Sequence, residues 1–559
     1  METMDTKIKK VDTLPIIKHY IEELNLHNLF DTYVPNNNGF EISPAQVLCV
    51  MTMNIVAAVK PLYHVDEWLT DYMDGMAESV EHAGKYNDDR LGRCLDVLFN
   101  ADRHSIMTQA TSSAIKVYEL ECEKIHNDST SVSFAGAYEG SGEGAVKIVH
   151  GHNKDGHPDY KQIVFGLNIT EDGHVPLSYQ LFDGNQADVT THIPNWNGLR
   201  DFLCTEDFIY IGDSKVCSTD NMNHIAENGG QFITIMPKSR KEVKAFHERL
   251  KQGESIEWEE GYEKKNSRKK GKLNIFQIYA DETSKEGYRI VWVHSSSKET
   301  QDQKTRERRI SKAEEKVSEL AEKLNKYKLK TREQIEKAVA TSTKGVRELL
   351  PTEIVEEKTV VTVKTSPGRP GPNSKYEERE HVRFNLQWHR DENAIEQASR
   401  TDGIFPLITN AQLPSVEVLQ TYKKQPFLEK RFHTKKSVLE VAPVFLNKSS
   451  RIEAMMFLYF IALMIVSLIE RNIRKEMLVQ EIENIIISPK NLTTKTPTWN
   501  NIRNYFRNVH LSLITRGTEV LGSTLKGITA GHRQMLGLLK VPEKAYDNLR
   551  DGWWVFCFQ

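Results

Sequence analysis

Long apolar runs are scarce in this chain. The longest, Met455 to Ile469, lies between Glu453 and Glu470 and spans 15 residues. A bilayer span needs ~20, so the run predicts a buried core helix and no membrane partner. Met1 to Val11 is charged and has no apolar segment of the kind a signal peptide carries. Cysteine is sparse as well. The six cysteines, at 49, 94, 122, 204, 217 and 557, show no Cys-x-x-Cys spacing. That speaks against a zinc module or a redox pair, and scattered thiols fit a reducing cytoplasm. Neither sign of charge dominates. With 74 basic and 77 acidic residues the net charge is −3, which argues against a uniformly basic nucleic-acid binder. Any DNA contact must come from charge gathered into patches.

What is present is an ordinary globular composition. Hydrophobic residues make up 39% of the 559 and charged residues 27%, which excludes a wholly disordered chain and suggests two to four domains. Residues 12 to about 118 show apolar positions at helical spacing, as in Ile16-Ile17, Ile21, Leu24 and Leu29-Phe30. Ser43-Pro44 is a helix-start signal. From Ile125 to about Lys238 the pattern turns to short β-rich runs, at 163–169, 175–182, 208–211 and 232–236, with helical stretches near 191–204 and 218–228. Strands followed by helices predict a mixed α/β core. Residues 240 to about 400 have the character of an insertion. Strand patterns at 273–280 and 288–294 precede Ile310, Ala313, Val317, Leu320, Leu324 and Tyr327, a short seam at spacings of three and four. We expect it to form an antiparallel helical hairpin with residues 332–345; a dimerising coiled coil is the alternative. Beyond about 425 the pattern is helical and ends in the aromatic stretch Trp553 to Phe556, expected to be packed core.

The densest chemistry lies between Lys423 and Lys436. Lys423, Lys424, Lys430, Arg431, Lys435 and Lys436 surround one acid, Glu429. Pro426 suits the first turn of a helix, which places Glu429 near its N-terminus. A basic face suits phosphates, and a carboxylate within it suits a metal ion that also touches them; a surface helix with an ordinary ion pair is the plainer alternative. Two further carboxylates stand at strand boundaries: Asp128 in Asn127-Asp128-Ser-Thr-Ser, and Asp213 after the run Phe208-Ile-Tyr-Ile-Gly. Three carboxylates on one sheet and one packed helix could hold two divalent cations ~3.5–4 Å apart. Asp183-Gly184 is a turn dipeptide and ranks below Asp213. The glycine-rich stretch Gly140 to Lys147 is expected to be a loop, and His150, His152 and His157 with Asp155 and Asp159 a polar loop rather than a zinc site.

Tyr422, Gln425, Glu429 and Lys436 stand at successive spacings of three, four and seven. The chain here resembles the DDE transposases of bacterial insertion sequences, in the group with a Tyr-Arg-Glu-Lys signature, with Gln425 in the place of the arginine. Asp128-Ser-Thr-Ser, Gly151 to Gln162, Asp183-Gly-Asn185, Gly212-Asp213-Ser, Phe232 to Lys238 and Asp88 to Arg93 follow one another in the family's order, over most of residues 12–475.

The resemblance implies an α/β fold: a ribonuclease H-like catalytic core with a β-rich insertion domain and a helical N-terminal domain. The expected divisions are a DNA-end-binding helical domain at 1–118, the core at 119–239 and 401–490, the insertion at 240–400 and a helical segment at 491–559. It implies Asp128, Asp213 and Glu429 as catalytic and metal-binding residues for two Mg²⁺ ions, with Mn²⁺ as a substitute. The expected DNA contacts are Tyr422, Gln425, Lys430, Lys435 and Lys436, with Lys264, Lys265, Arg268, Lys269 and Lys270 supplying sequence-independent affinity. Expected partners are terminal inverted repeats and target DNA, with a homodimer in the synaptic complex, in the bacterial cytoplasm at the nucleoid. Two rival readings stay open: a decayed or co-opted non-catalytic DNA-binding protein, and a metal-dependent nuclease that cuts without joining.

Overall fold

The computed structural model describes residues 4–36, 41–57, 60–73, 83–134, 138, 144–151, 159–265, 273–326, 328–365, 367–369, 371, 375–434, 446, 448–488, 490–516, 519–547 and 549. Contacts divide the chain into two compact units. One comprises 1–234, 410–412 and 420–559; the other comprises 235–409 and 413–419.

The first unit opens with strand β1 (Met4–Lys10) and then helices α1 (Leu14–Glu23), α2 (Leu26–Tyr33), α3 (Pro44–Ala57), α4 (Val65–Met73), α5 (Asp88–Asn100) and α6 (Arg103–Tyr118). The start signals act as expected. Ser43 Oγ accepts from Gln46 N at 3.2 Å, Asn87 caps α5 through Arg90 N, and Asp102 caps α6 through Ser105 N. A sheet follows, built from β2 (Lys124–Phe134), β3 (Lys161–Thr170), β4 (Pro176–Phe182), β5 (Ile209–Gly212) and β6 (Gln231–Ile235), in the order β4-β3-β2-β5-β6. β2, β3 and β4 pair antiparallel, while β2-β5 and β5-β6 pair parallel. The parallel connections run through α7 (His192–Leu203) and α8 (Thr219–Glu227). β3, β4, β5 and β6 match the runs expected at 163–169, 175–182, 208–211 and 232–236, and α7 and α8 the helical stretches between them.

The second unit has α9 (Lys241–Lys251) and the antiparallel strands β7 (Glu259–Lys265), β8 (Leu273–Thr283) and β9 (Arg289–Ser295), followed by α10 (Ser296–Glu322) and α11 (Arg332–Ser342). Val317, Leu320 and Leu324 pack on Ile335 and Val339, with Phe384 and Leu386 closing the cluster. The short seam is therefore spent inside a helical hairpin. A ribbon of β10 (Thr352–Lys364) and β11 (Tyr376–Trp388), then α12 (Glu392–Ser399) and β12 (Ile404–Thr409), complete the unit. β12, in the segment where the core was expected to resume at 401, pairs antiparallel with β9 and falls by its contacts within the second unit.

Helices α13 (Ser415–Tyr422), α14 (Pro426–His433) and α15 (Ser449–Val479) come next. Met455 to Ile469 is buried throughout, against α3, α5 and β4. Here the length argument fails. α15 is 31 residues long and apolar enough to span a bilayer by length and composition, but 94% of its apolar window is buried inside the protein. Burial, not shortness, identifies it as a core helix.

The C-terminal part also departs from expectation. After the two-residue strands β13 (Ile485–Ile486) and β14 (Thr493–Thr494) and helix α16 (Trp499–Phe506) come strands β15 (His510–Arg516) and β16 (Glu519–Lys526), then α17 (Ala530–Leu538) and α18 (Lys544–Asp547). β15 pairs with β16 and with β1. In β15, Leu511 and Leu513 are buried while Ile514 is exposed, an alternation with a period of two that marks strand rather than helix. The segments at 1–118 and 491–559 are thus not wholly helical. The aromatic stretch at 553–556 lies outside the described residues.

Leu463 is fully buried in the middle of α15. Leu463→Ala should lower unfolding free energy by ~2–5 kcal/mol in urea denaturation. A change within about 0.5 kcal/mol, the range of a surface substitution, would show that this face of the helix is not packed.

Candidate active site

The parallel register pairs His126 of β2 with Ile211 of β5. Asp128 and Asp213 each lie two residues beyond that pair: Asp213 directly follows the end of β5, whereas Asp128 lies within β2, opposite Leu167 of β3, and not at the strand boundary expected of it. Both carboxylates are steadied locally: Asp128 Oδ1 accepts from Ser129 N at 2.7 Å, and Asp213 Oδ1 accepts from Lys215 N at 2.9 Å. The Asp213 carbonyl accepts from Thr234 Oγ1. Gly212 permits this turn, because a Cβ there would meet Val216 Cγ2 at 2.5 Å.

Beneath the two aspartates lies a buried polar network that the sequence did not announce. Asn127 Nδ2 donates to Asn168 Oδ1 at 2.8 Å, and Asn168 Nδ2 donates to Asn195 Oδ1 and to Ser178 Oγ. Asn195 Nδ2 donates to the Tyr210 hydroxyl at 2.9 Å, and His192 Nδ1 lies 3.1 Å from that oxygen. Each amide meets several partners, so the cost of burying it is met by fixed geometry. Four strands and a helix become locked behind the aspartates. The one available signal was the run of polar residues His126 to Ser131 in a strand that lies largely buried.

Glu429 sits exposed in the first turn of α14, with Pro426 at the helix start as expected. An eight-residue helix has little stability of its own, and this one is held from outside. Lys424 Nζ binds Glu171 Oε1 at 2.6 Å. Arg431 is 4% exposed; its Nη1 donates to Glu470 Oε2 at 2.8 Å, its Nε to the His174 carbonyl and its Nη2 to the Gly173 carbonyl. Phe427 stacks on the His174 ring at 4.2 Å. The basic cluster is therefore not uniform: Arg431 is buried in an ion pair with Glu470, and Lys424, partly exposed, is paired with Glu171.

Gln425 departs furthest from expectation. Its Oε1 lies 2.8 Å from His126 Nδ1, and its Nε2 donates to the Asn127 carbonyl at 2.8 Å. Both ends of the amide hold β2, immediately before Asp128. Here it is a strap between the strand of one carboxylate and the helix of another, with both ends of its amide engaged inside the protein. Tyr422 is half-buried beside them. Burial, then the negative charges of Asp213, Asp128 and Glu429, push its phenol above the ordinary range. One hydroxyl thus feels all three carboxylates.

Carboxylate oxygens are the donors Mg²⁺ takes, so the residues fit the metal in kind. Among the described residues, no three His, Cys, Asp or Glu side chains stand close enough to close around an ion. The three acids share a field around Tyr422 rather than a finished cage. Lys430 is exposed, with Nζ 4.4 Å from the Phe427 ring centre, and Lys264 and Lys265 are exposed on β7. Lys435, Lys436, Arg268, Lys269 and Lys270 lie outside the described residues, as do residues 140–143 and His152, Asp155 and His157. Asp183 is a turn residue, its Oδ1 accepting from Lys147 N.

Comparison with known proteins gives this geometry a context. The Transposase DDE domain family matches residues 124–465, and a Domain of unknown function (DUF4277) matches residues 6–112. The chain belongs to the DDE transposase family. It is a transposase, an enzyme of DNA transposition. No curated protein matches it. A solved structure, the cryo-EM structure of piggyBac transposase synaptic complex with hairpin DNA, is 8% identical over 90% of this chain and 82% of that one, at a TM-score of 0.36. That likeness is too loose to carry an argument.

Two predictions follow from the grip on α14. Gln425→Ala should cut strand cleavage about a hundredfold through misplacement of the carboxylates and leave duplex affinity within about twofold; a fall in affinity with a shallower salt dependence would restore the phosphate role. The second concerns acid. Burial works to raise the Glu171 carboxyl, but His126 and Lys424 outweigh it and hold it at about 2, against an ordinary 4.5. Burial, with the charges of Arg431 and His126, lowers His174 from 6.5 to about 3. Both values are depressed, so the stability each contributes is complete above its unfolded value and lost as pH falls: from 6.5 toward 3 for His174, and from 4.5 toward 2 for Glu171. His174→Phe keeps a ring on Phe427 and removes the proton site. Urea midpoints between pH 6.5 and 4.5 should then fall less steeply than in the wild type; an unchanged slope would rule His174 out.

Proposed function

We propose that this transposase cuts phosphodiesters at the ends of its element and joins the freed 3′-OH to target DNA, with Asp128, Asp213 and Glu429 as its metal-binding acids. The observation that carries the reading is the parallel pairing of β2 with β5, which places Asp128 and Asp213 on adjacent strands, together with the Gln425 side chain that ties β2 to the helix of Glu429. The strand order supports a ribonuclease H-like core: counted along the unit's sheet it is third, second, first, fourth, fifth, with an antiparallel first half and a parallel second half.

The chain's own residues do the positioning. Asp128 stands within β2 and Asp213 follows β5, so both are held by the sheet, and Glu429 is brought to them on a helix that Gln425 straps to β2. Two Mg²⁺ ions, or Mn²⁺ in their place, would activate the attacking oxygen and neutralise the scissile phosphate when bound. Tyr422 and Lys430 border the acids, and Lys435 and Lys436 follow Glu429 in sequence; these side chains orient the DNA backbone, with Lys264 to Lys272 adding affinity that falls with salt. Joining two inverted-repeat ends calls for a homodimer, and DNA as substrate puts the enzyme at the nucleoid. A nuclease that cuts without joining is separated by a strand-transfer assay.

Glu429→Gln keeps size and removes charge. It should abolish cleavage of an end fragment and leave binding in gel shift unchanged or slightly stronger. Cleavage at the wild-type rate would remove Glu429 from the metal site and reopen the non-catalytic reading.

A further inference from the structure

The second unit contains a cavity of about 290 Å³ that the strand-cleavage chemistry does not use. Its wall carries four cationic side chains, Lys238, Lys298, Arg306 and Arg309, and two carboxylates, Asp302 and Asp402. Two of the cations are spent. Arg306 grips Asp402 through both Nη atoms at 2.7 Å, and Lys298 binds Asp302, which also accepts from Gly403 N. Lys238 and Arg309 have neither an ion-pair nor a hydrogen-bond partner among the described residues. The cavity is left with two positive charges in excess.

His247 gives a second, independent sign. It lines the cavity, and its Nε2 is buried without a hydrogen-bond partner among the described residues. A buried polar atom left unmatched costs about 1–3 kcal/mol and calls for a partner. Burial, followed by the charges of Lys238, Lys251 and Lys298, holds the imidazole below its ordinary range. Guanidinium and ammonium groups around such a space suit phosphate oxygens, the guanidinium as a two-pronged donor.

We propose that this cavity is a phosphate-binding site, with Arg309 and Lys238 as its main ligands and His247 Nε2 as a donor from the wall. The phosphate comes from a DNA backbone or from a free phosphate ester, and the experiment separates the two. The cavity lies wholly in the second unit and its test reads binding, so its outcome is independent of the role given to Asp128, Asp213 and Glu429.

The test uses the full chain, the double variant Lys238→Ala with Arg309→Ala, and a control, Lys312→Ala with Lys316→Ala. The control removes the same charge from exposed positions of α10. Lys238 and Arg309 are themselves exposed, so the double variant should fold, which its far-ultraviolet circular dichroism would verify. Inorganic phosphate at constant ionic strength should raise the unfolding temperature of the wild type and of the control, but not of the double variant. With a 20-base-pair duplex, the slope of log K against log[salt] should fall by about 0.9 in the double variant if the phosphate is one of DNA. A phosphate response with an unchanged duplex slope assigns the site to a free phosphate ester. If neither response separates the double variant from the wild type, or if the control loses as much as the double variant, the proposal is overturned.

Discussion

Arg431 and Glu470 meet with almost no solvent around them, and the placement of α14 depends on that meeting. Withdrawing two charges from water costs several kcal/mol per ion, recovered only if the remaining donors and acceptors also find partners. Here they do. Arg431 adds the carbonyls of Gly173 and His174, and Glu470 Oε1 accepts from Trp499 N at 2.9 Å. One ion pair thereby joins the β3–β4 turn, α14, α15 and the start of α16. Gly173 is part of the same constraint. It adopts φ +75°, and a Cβ there would come within 2.5 Å of the Arg471 side chain.

The three candidate acids stand on supports of unequal stiffness. Asp128 and Asp213 issue from paired strands backed by the Asn127–Asn168–Asn195–Tyr210 network. Glu429 rides on a short helix whose fixing points are all side chains: Lys424 on Glu171, Gln425 on β2 and Arg431 on Glu470. Adjustment between the free state and a DNA-bound one belongs on that helix, because shifting either aspartate would break a sheet while shifting Glu429 only requires side chains to yield. This agrees with acids that share a field before any ion draws them together.

Much of the scaffold was legible because burial stamps a period on sequence. The strands near 163–169 and 175–182, the caps at Ser43 and the Pro426 helix start all announced themselves locally. What stayed hidden was relational. That Arg431 is buried while Lys430, its neighbour, is exposed depends on an acid 39 residues away. Gln425 looked like a weakened phosphate ligand because its partners, His126 and the Asn127 carbonyl, lie nearly 300 positions earlier. β1 and β15 were missed for the same reason: a seven-residue strand with one polar face carries little signal until its partner is known. The length of the Met455 to Ile469 run misled, since a helix continues through polar residues that a count of apolar ones ignores.

The pairing of β1 with β15 also sets a timetable. Met4 and its partner, Arg516, stand 512 positions apart in the chain. At about 5–20 residues per second, β1 waits on the order of half a minute to well over a minute for the strand that completes its sheet. The second unit is nearly continuous in sequence, from 235 to 409, and can fold meanwhile. A ribosome that stalls before residue 510 therefore leaves the edge of β1 open.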